Sequence, residues 1–169
     1  MKHKNARNDL TQEDVKKIFR YDKKTGALIW KTSTRGRKTG DPVARSIGAG
    51  GYYRVGINRK RYLVHRIIWL WVTGNWPKYE IDHSNENRTD NRWENLREAT
   101  PSENHRNRGP QKNNTSGYKG VTRIGTQRWI AGIKLNGYRH NLGTFYSAES
   151  AYEAYCKAAR KLHGKWAKL

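Results

Sequence analysis

The first half of the chain alternates short hydrophobic runs with turn residues, a pattern that predicts small β-strands. The runs GALIWK, YYRVGI and RYLVH each have the composition of a strand. Thr11 followed by Asp14 has the form of a capping box, which predicts a short helix ending at Arg20. The apolar segment 65–72 predicts a buried helix that stops at Thr73 and Gly74.

The middle of the chain predicts strand, loop, strand and helix in succession. YEIDH favours a short strand, and a second strand is expected at residues 93–97, after the turn-rich SNENRTDN. Thr100, Pro101 and Glu103 then supply an N-cap, a proline at the first helical position and a capping-box carboxylate. The helix should therefore begin at Pro101.

Segment 117–169 predicts three short strands followed by one helix. On the second strand Trp129, Ala131 and Ile133 alternate with basic or small residues, so one face is apolar and should meet the helix. The helix begins after Ser147 and carries an apolar stripe at helical spacing, formed by Ala148, Ala151, Tyr152, Tyr155, Ala158, Ala159 and Leu162. The basic sheet face then stays available to a partner.

Charge narrows the class of that partner. The 169 residues hold 35 Lys and Arg against 14 Asp and Glu, a net charge of +21. Such an excess favours a polyanion, and nucleic acid is favoured over a membrane surface because no long amphipathic cationic helix is present. Between the two halves, RNRGPQKNNTSG lacks hydrophobic periodicity and predicts a linker.

The single cysteine, Cys156, excludes an intrachain disulfide or thiolate zinc site, so no structural zinc is expected. The N-terminal residues lack the apolar stretch of a secretion signal, and the run LVHRIIWLWV is too short to span a bilayer. The sequence therefore predicts a soluble cytoplasmic protein without a membrane partner.

The stretch IDHSNENRTDNRWENLREATPSENHRN resembles the ββα-metal core of HNH nucleases, especially the phage homing endonucleases in which the last His is replaced by Asn. The resemblance covers roughly residues 52–108 and implies an α+β fold. It implies that Asp82 and Asn104 bind a divalent metal, that His83 is the general base and that Asn95 braces the loop. The metal would be Mg²⁺, with Mn²⁺ as a substitute, and the products a 5′-phosphate and a 3′-hydroxyl.

These residue types suit that chemistry. Mg²⁺ takes oxygen ligands and keeps several waters, so one carboxylate and one amide suffice when phosphate supplies more. An imidazole with an ordinary pKa of about 6.5 is largely neutral near pH 7 and can accept a proton. Because successive strand residues face opposite ways, the strand must end or bend at Asp82 and His83.

Alternatives stay open around these positions. Asp82 could instead pair with one of the many arginines, and Asn91 competes with Asn95 for the loop position. His105 competes with Asn104, because a shift of one residue would restore the third letter of the motif. His65 also lies where related sequences carry a histidine, although a histidine at the start of an apolar helix is most often structural. His65 and His105 are therefore secondary candidates.

The C-terminal segment resembles the Apetala-type, or ethylene-response-factor, DNA-binding domain. The shared features lie in SGYKGVTR, QRWIAGIKLNGYRHNLGTF and SAESAYEAY. That family lays its sheet into the major groove, where Arg and Lys can reach guanine edges or phosphate. The resemblance implies DNA contacts from Thr122, Arg123, Arg128, Lys134, Arg139 and Asn141. Thr122 and Asn141 replace an Arg and a Trp that plant members usually carry, so the plant target sequence is not implied.

The sequence therefore predicts an accessory segment of helix and strands (1–50), an HNH nuclease core (51–108), a basic flexible linker (109–116) and an Apetala-type domain (117–169). The expected activity is site-specific, Mg²⁺-dependent cleavage of double-stranded DNA by a monomer without an obligate protein partner. The resemblance adds a phage or mobile-element origin and a homing role, and a single metal site suggests nicking.

Two other classes remain open. A DNA-binding regulator with an inactive nuclease core would keep the sheet and the charge, although intact Asp82, His83, Asn95 and Asn104 favour activity. A structural or ribosome-associated RNA-binding protein would need only the charge.

Overall fold

The structure, a computed structural model, describes residues 9–34, 36–43, 47–48, 50–107, 109–110, 113–167 and 169. The chain forms two compact units, residues 1–99 and 100–169. Each unit combines small antiparallel sheets or hairpins with helices, which confirms the predicted α+β class. The described helices include none that is long and apolar enough to cross a membrane.

The described part of the first unit consists of three two-stranded antiparallel sheets, two helices and a 3₁₀ turn at Trp93–Asn95. The sheets pair β1 (Phe19–Tyr21) with β2 (Leu28–Trp30), β3 (Arg54–Ile57) with β4 (Lys60–Leu63), and β5 (Glu80–His83) with β6 (Leu96–Ala99). The helices are α1 (Gln12–Ile18) and α2 (Val64–Thr73).

Helix α1 begins as predicted and ends earlier than predicted. Asp14 N donates to Thr11 Oγ1 (3.2 Å) and Thr11 N donates to Asp14 Oδ2 (2.9 Å), which confirms the capping box. The expected end at Arg20 is wrong, because Phe19 and Tyr21 are buried on either side of exposed Arg20 and pair with β2 as a strand.

Two further boundaries differ from the prediction. The run RYLVH is divided, since β4 ends at Leu63 and the following residues open α2. Helix α2 ends at Thr73, as predicted, and its C-cap Gly74 adopts the left-handed conformation (φ 81°) that glycine tolerates best. The second strand of the site begins at Leu96, because residues 93–95 form the 3₁₀ turn instead.

A single cluster of buried residues joins the predicted accessory segment to the predicted nuclease segment. Its members are Val15, Phe19, Tyr21, Leu28, Trp30, Val43, Val55, Ile57, Tyr62, Val64, Ile67, Ile68, Leu70, Ile81 and Leu96. The N-terminal residues therefore contribute to the core beneath the site. The predicted domain boundaries themselves stay predictions.

The second unit contains α3 (Pro101–Arg106), the three-stranded sheet β7 (Val121–Ile124), β8 (Arg128–Leu135) and β9 (Tyr138–Phe145), helix α4 (Ala148–His163), and a 3₁₀ turn at Gly164–Trp166. Thr100 N donates to Glu103 Oε2 (2.8 Å) and Glu103 N donates to Thr100 Oγ1 (3.3 Å), so the capping box of α3 is present.

The apolar face of β8 meets α4, as predicted. Ala131 clusters with Ala151, while Ile133 clusters with Tyr155 and Ala159. The prediction of Leu162 on this stripe is wrong: its side chain is 36% exposed, and the next residue, His163, is buried instead. His163 lies four residues after Ala159, about one helical turn, so it continues the buried stripe in place of Leu162.

The predicted linker is partly ordered where the structure describes it. Residues 111 and 112 lie outside the described residues. Asn114 Nδ2 donates to the carbonyl of Tyr118 (2.8 Å), and Ser116 N donates to Asn114 Oδ1 (2.9 Å). Ser116 Oγ also donates to the carbonyl of Val121 (2.9 Å). The described end of the linker is therefore tied to the sheet that follows it.

Candidate active site

Asp82 and His83 are the last two residues of strand β5, and both still pair with β6. Asp82 is the register partner of Arg97, and His83 is the register partner of Leu96. Because neighbouring strand residues point to opposite faces, the two predicted functional side chains contact different surroundings.

Arg97 holds the carboxylate of Asp82. Its Nε and Nη2 both donate to Asp82 Oδ2, at 2.9 and 2.8 Å. The Asp82 side chain is only 8% exposed and that of Arg97 20%. Residues directly opposite in an antiparallel pair lie on one face, so the strand register itself creates this contact. The arginine pairing considered for Asp82 is therefore present.

The imidazole of His83 is buried and contacts Asn91. His83 Nε2 lies 3.1 Å from Asn91 Oδ1. An amide oxygen only accepts hydrogen bonds, so this contact assigns the proton of a neutral imidazole to Nε2 and makes Nδ1 the basic nitrogen. Burial lowers the pKa of His83 below its ordinary value, against the opposing effects of the Asn91 contact and of Asp82 and Asp90. His83 is therefore neutral near pH 7.

Two rings pack against His83. The ring of His65 meets it edge-on, with centroids 5.2 Å apart and an interplanar angle of 90°, and the ring of Tyr52 lies at 5.7 Å. The rings of Tyr52 and His65 also pack against each other, with centroids 4.9 Å apart. Burial, helped by the nearby His83 and Arg66, lowers the pKa of His65 to about 3. The secondary candidate His65 is thus a neutral packing partner of the predicted base.

Asn95 braces the segment 84–92, which we call the site loop. Its Oδ1 accepts from Ser84 Oγ (2.8 Å) and from Asn85 N (3.0 Å), and its Nδ2 donates to the carbonyl of Asp90 (2.7 Å). These three bonds close the loop from both ends. The contacts match the bracing role that the resemblance implies for Asn95.

Asp90 forms a second fixed point in the site loop. Arg92 donates to both of its oxygens, from Nε (2.9 Å) and Nη2 (2.7 Å), and Asn85 Nδ2 donates at 2.7 Å. The Arg92 guanidinium, with Asn85 adding to its effect, holds the pKa of Asp90 well below its usual range. Asp90 therefore stays ionised at neutral pH, and Arg92 balances its negative charge.

The N-terminal hairpin supports the loop at Asn91. Tyr21 Oη donates to the carbonyl of Asn91 (2.8 Å). Gly26, with φ 75°, approaches the same backbone so closely that a Cβ would lie 2.4 Å from Arg92 N. On the other side, Arg88 Nη1 donates to the carbonyl of Gly50 (2.7 Å). Segments before residue 51 therefore position the partner of His83.

Asn104 belongs to the second unit. It lies on α3, where its backbone N donates to the carbonyl of Thr100 (2.9 Å). Its pairing with Asp82 as a metal ligand stays a prediction. The side chain of its competitor His105 is among those that the structure does not describe.

The donor chemistry fits a hard divalent cation. Within the described residues, no group of three or more His, Cys, Asp and Glu side chains could hold a metal ion. The predicted set is instead the Asp82 carboxylate and the Asn104 amide oxygen, which suit Mg²⁺ when waters and phosphate complete the shell.

On the three-stranded sheet, the predicted DNA contacts divide between two faces. The register pairs Thr122 with Ile130, Lys134 with Arg139, and Gly132 with Asn141, so these positions lie opposite the face that packs on α4. The exposed set on this outer face, which we call the basic sheet face, comprises Thr122, Arg128, Lys134, Arg139 and Asn141.

Arg123 lies apart from the other five. It is the register partner of Trp129, on the face that packs on α4. Its guanidinium stacks 5.6 Å from the Trp129 ring and donates to the carbonyl of Thr126 (2.7 Å). The structure therefore brings five of the six predicted residues together and leaves Arg123 on the opposite face.

Three residues of the site were absent from the sequence prediction or ranked too low in it. Asn91 was considered only as a competitor for the loop position, whereas it contacts His83 directly. Arg97 lies opposite Asp82 through the register of β5 and β6, which no local pattern in the sequence fixes. Tyr52 carried no signal beyond its place in a strand-like run.

Comparisons with known proteins identify the family to which the middle of the chain is similar. A family model described as HNH endonuclease matches residues 62–106. An uncharacterized HNH endonuclease of Acanthamoeba polyphaga mimivirus is 32% identical over 123 residues, which is 72% of this chain and 63% of that protein. Protein 3.8 of Escherichia phage T7 is 34% identical over 107 residues, 62% of this chain and 88% of that protein.

Two more similarities complete the comparison. An ethylene-responsive transcription factor of Arabidopsis thaliana is 48% identical over 61 residues, 35% of this chain and 23% of that protein. A solved structure that concerns DNA binding and cleavage by the HNH homing endonuclease I-HmuI aligns with this chain at 20% identity. The alignment covers 86% of this chain and 84% of that chain, with a TM-score of 0.40.

The segment that carries Asp82, His83, Asn95 and Asn104 is the one that matches the HNH endonuclease family model. The chain therefore contains an HNH endonuclease domain.

Proposed function

We propose that this protein is a site-specific, divalent-metal-dependent endonuclease of double-stranded DNA in which His83 is the general base. The contact between His83 Nε2 and Asn91 Oδ1 at 3.1 Å carries this proposal. It supports a neutral imidazole in a fixed orientation, next in sequence to the carboxylate of Asp82.

The chain's own groups account for most of the chemistry. His83 takes a proton from the attacking water through Nδ1, because Nε2 is engaged with Asn91. Asn95 keeps the site loop closed while the phosphate is bound. A Mg²⁺ ion, or Mn²⁺ in its place, held by Asp82 and Asn104 would supply positive charge to the phosphate and to the departing 3′ oxygen. The products are a 5′-phosphate and a 3′-hydroxyl.

The basic sheet face supports site specificity. Five exposed polar or basic residues lie on one side of the sheet, and the chain carries a net charge of +21. Such a face can offer Arg and Lys side chains to guanine edges and phosphates of the major groove. The similarity to a plant transcription factor over 61 residues agrees with an Apetala-type reader.

The proposal includes a biological setting. The similarity to mimivirus and phage T7 proteins supports a viral origin. We propose a phage homing endonuclease that acts as a monomer in the cytoplasm of a bacterial host cell. One metal site in one chain favours nicking of a single strand.

The test is cleavage of pooled genomic DNA from candidate hosts and phages with Mg²⁺ or with EDTA, followed by mapping of 5′ ends. The wild-type protein should give discrete, Mg²⁺-dependent ends that His83→Ala does not give. His140→Ala is the matched control, because His140 is exposed on β9 and pairs with Ile133, away from the basic sheet face. Intact DNA together with binding at discrete sites would favour the regulator instead.

A further inference from the structure

The predicted metal ligand Asp82 already has a cationic partner. Both Nε and Nη2 of Arg97 reach the same carboxylate oxygen, Oδ2, at 2.9 and 2.8 Å. The two residues are opposite each other on β5 and β6. The ion pair is therefore set by the backbone and is not a chance meeting of flexible surface side chains.

The Asp82–Arg97 ion pair is mostly buried, where electrostatic interactions are stronger than at the surface. With side chains 8% and 20% exposed, Asp82 and Arg97 are shielded from salt much more than a surface pair. A divalent cation that binds Asp82 must displace the guanidinium or stay beside its positive charge. Either event costs free energy, so Arg97 opposes metal binding as long as it stays on Asp82.

DNA offers Arg97 another anion. A guanidinium fits phosphate as well as carboxylate, with two parallel hydrogen bonds in each case. Arg97 keeps 20% of its side chain exposed, which leaves it a route toward a bound backbone. A phosphate in the site would therefore relieve the repulsion between Arg97 and the metal.

We infer that Arg97 exchanges Asp82 for a DNA backbone phosphate, and that this exchange couples divalent-metal binding to DNA binding. The inference rests on the proposed function, since it places the metal at Asp82 and the scissile strand beside it. By linkage, DNA raises the affinity for the metal by the same factor as the metal raises the affinity for DNA. Arg97 thus keeps the metal weakly bound until substrate arrives.

The first arm of the test measures Mn²⁺ binding to the full chain without DNA, by calorimetry and by the electron paramagnetic resonance signal of free Mn²⁺. Arg97→Gln should bind Mn²⁺ at least about fivefold more tightly than wild type, the lower end of ordinary coupling between sites. Arg97→Lys, which keeps the charge, should stay close to wild type. The control Arg61→Gln, an exposed position on β4, removes the same charge elsewhere and should have no effect.

The second arm adds a short DNA duplex of arbitrary sequence at low ionic strength, where a basic chain binds any duplex. His83→Ala is used as the background so that the DNA is not cut. DNA should tighten Mn²⁺ binding at least about fivefold in this background and much less in the double variant with Arg97→Gln. Asp82→Asn, measured with the same DNA, serves as the control for the amount of Mn²⁺ that the duplex itself binds.

The outcomes separate the two proposals. Unchanged or weaker Mn²⁺ binding by Arg97→Gln would overturn the role of Arg97 and leave the nuclease proposal standing. If Asp82→Asn binds Mn²⁺ as tightly as wild type, the metal is elsewhere and the proposed metal site fails. Thermal unfolding verifies that each variant is folded, and Arg97→Met, which keeps the aliphatic stem, replaces Arg97→Gln if that variant unfolds.

Discussion

His83 Nε2 and Asn91 Oδ1 lie 3.1 Å apart, and both residues are buried. The Asn91 backbone is itself held, because its carbonyl accepts a hydrogen bond from Tyr21 Oη at 2.8 Å. The orientation of the predicted base therefore depends on a loop residue that the N-terminal hairpin fixes in place.

Asn91→Ala should lower the rate of DNA cleavage with little change in DNA affinity. The substitution removes the acceptor for Nε2, so the imidazole loses both its fixed orientation and its preferred tautomer. We expect a loss of about tenfold to a hundredfold in the single-turnover rate of cleavage, the usual cost of removing a residue that orients a site side chain. Single-turnover nicking of supercoiled plasmid measures the rate, and anisotropy with labelled duplex measures the affinity. An unchanged rate would show that Asn91 does not orient His83.

Asn95→Ala should act mainly on stability. It removes two hydrogen bonds accepted by Oδ1 and one donated by Nδ2, all within the site loop. Losing a buried amide with three partners costs about 2–4 kcal/mol of the free energy of unfolding. Urea unfolding followed by tryptophan fluorescence measures the change. Asn75→Ala is the matched control, since Asn75 is exposed and, among the residues that the structure describes, bonds only to nearby Thr73.

Local signals predicted most elements of this fold. The capping boxes at Thr11 and Thr100 and the end of α2 at Gly74 are short-range features, and the structure contains all three. The end of α1 was wrong because Phe19 and Tyr21 are drawn into a strand by pairing with β2, which lies later in the chain. Contacts between distant segments decide such boundaries, and no local pattern carries them.

The candidate site shows the same division. The motif predicted Asp82, His83 and Asn95 as site residues, and Asn95 hydrogen-bonds the site loop from the 3₁₀ turn that follows it. The partners of the first two could not be read from the sequence. Arg97 meets Asp82 only through the strand register, and Asn91 meets His83 only because the loop folds back. Side-chain partners across strands and loops depend on register, which a shift of one residue would change.

His65 should make the stability of the first unit sensitive to mild acid. Its pKa is lowered from 6.5 to about 3, chiefly by burial, so the unfolded chain binds a proton that the folded chain excludes. The contribution of neutral, buried His65 to the free energy of unfolding is complete above pH 6.5 and is lost as the pH falls from 6.5 toward 3. His65→Phe keeps a ring against Tyr52 and His83 and removes the titration. Urea unfolding across this range should therefore give a shallower pH dependence for the variant, and equal slopes would contradict the prediction.

The two faces of the sheet should differ in their contribution to DNA binding. Arg139 lies on the basic sheet face, and its Nε approaches Gly132 so closely that a Cβ added to this glycine would lie 2.9 Å away. Arg123 instead stacks on Trp129 on the other face. Arg139→Ala should weaken binding and lower the slope of log K against log salt concentration by about 1 if it contacts a phosphate. Arg123→Ala removes the same charge and should leave that slope unchanged. Anisotropy with labelled duplex at several salt concentrations measures both variants, and equal losses would show that net charge, not the geometry of the sheet, governs binding.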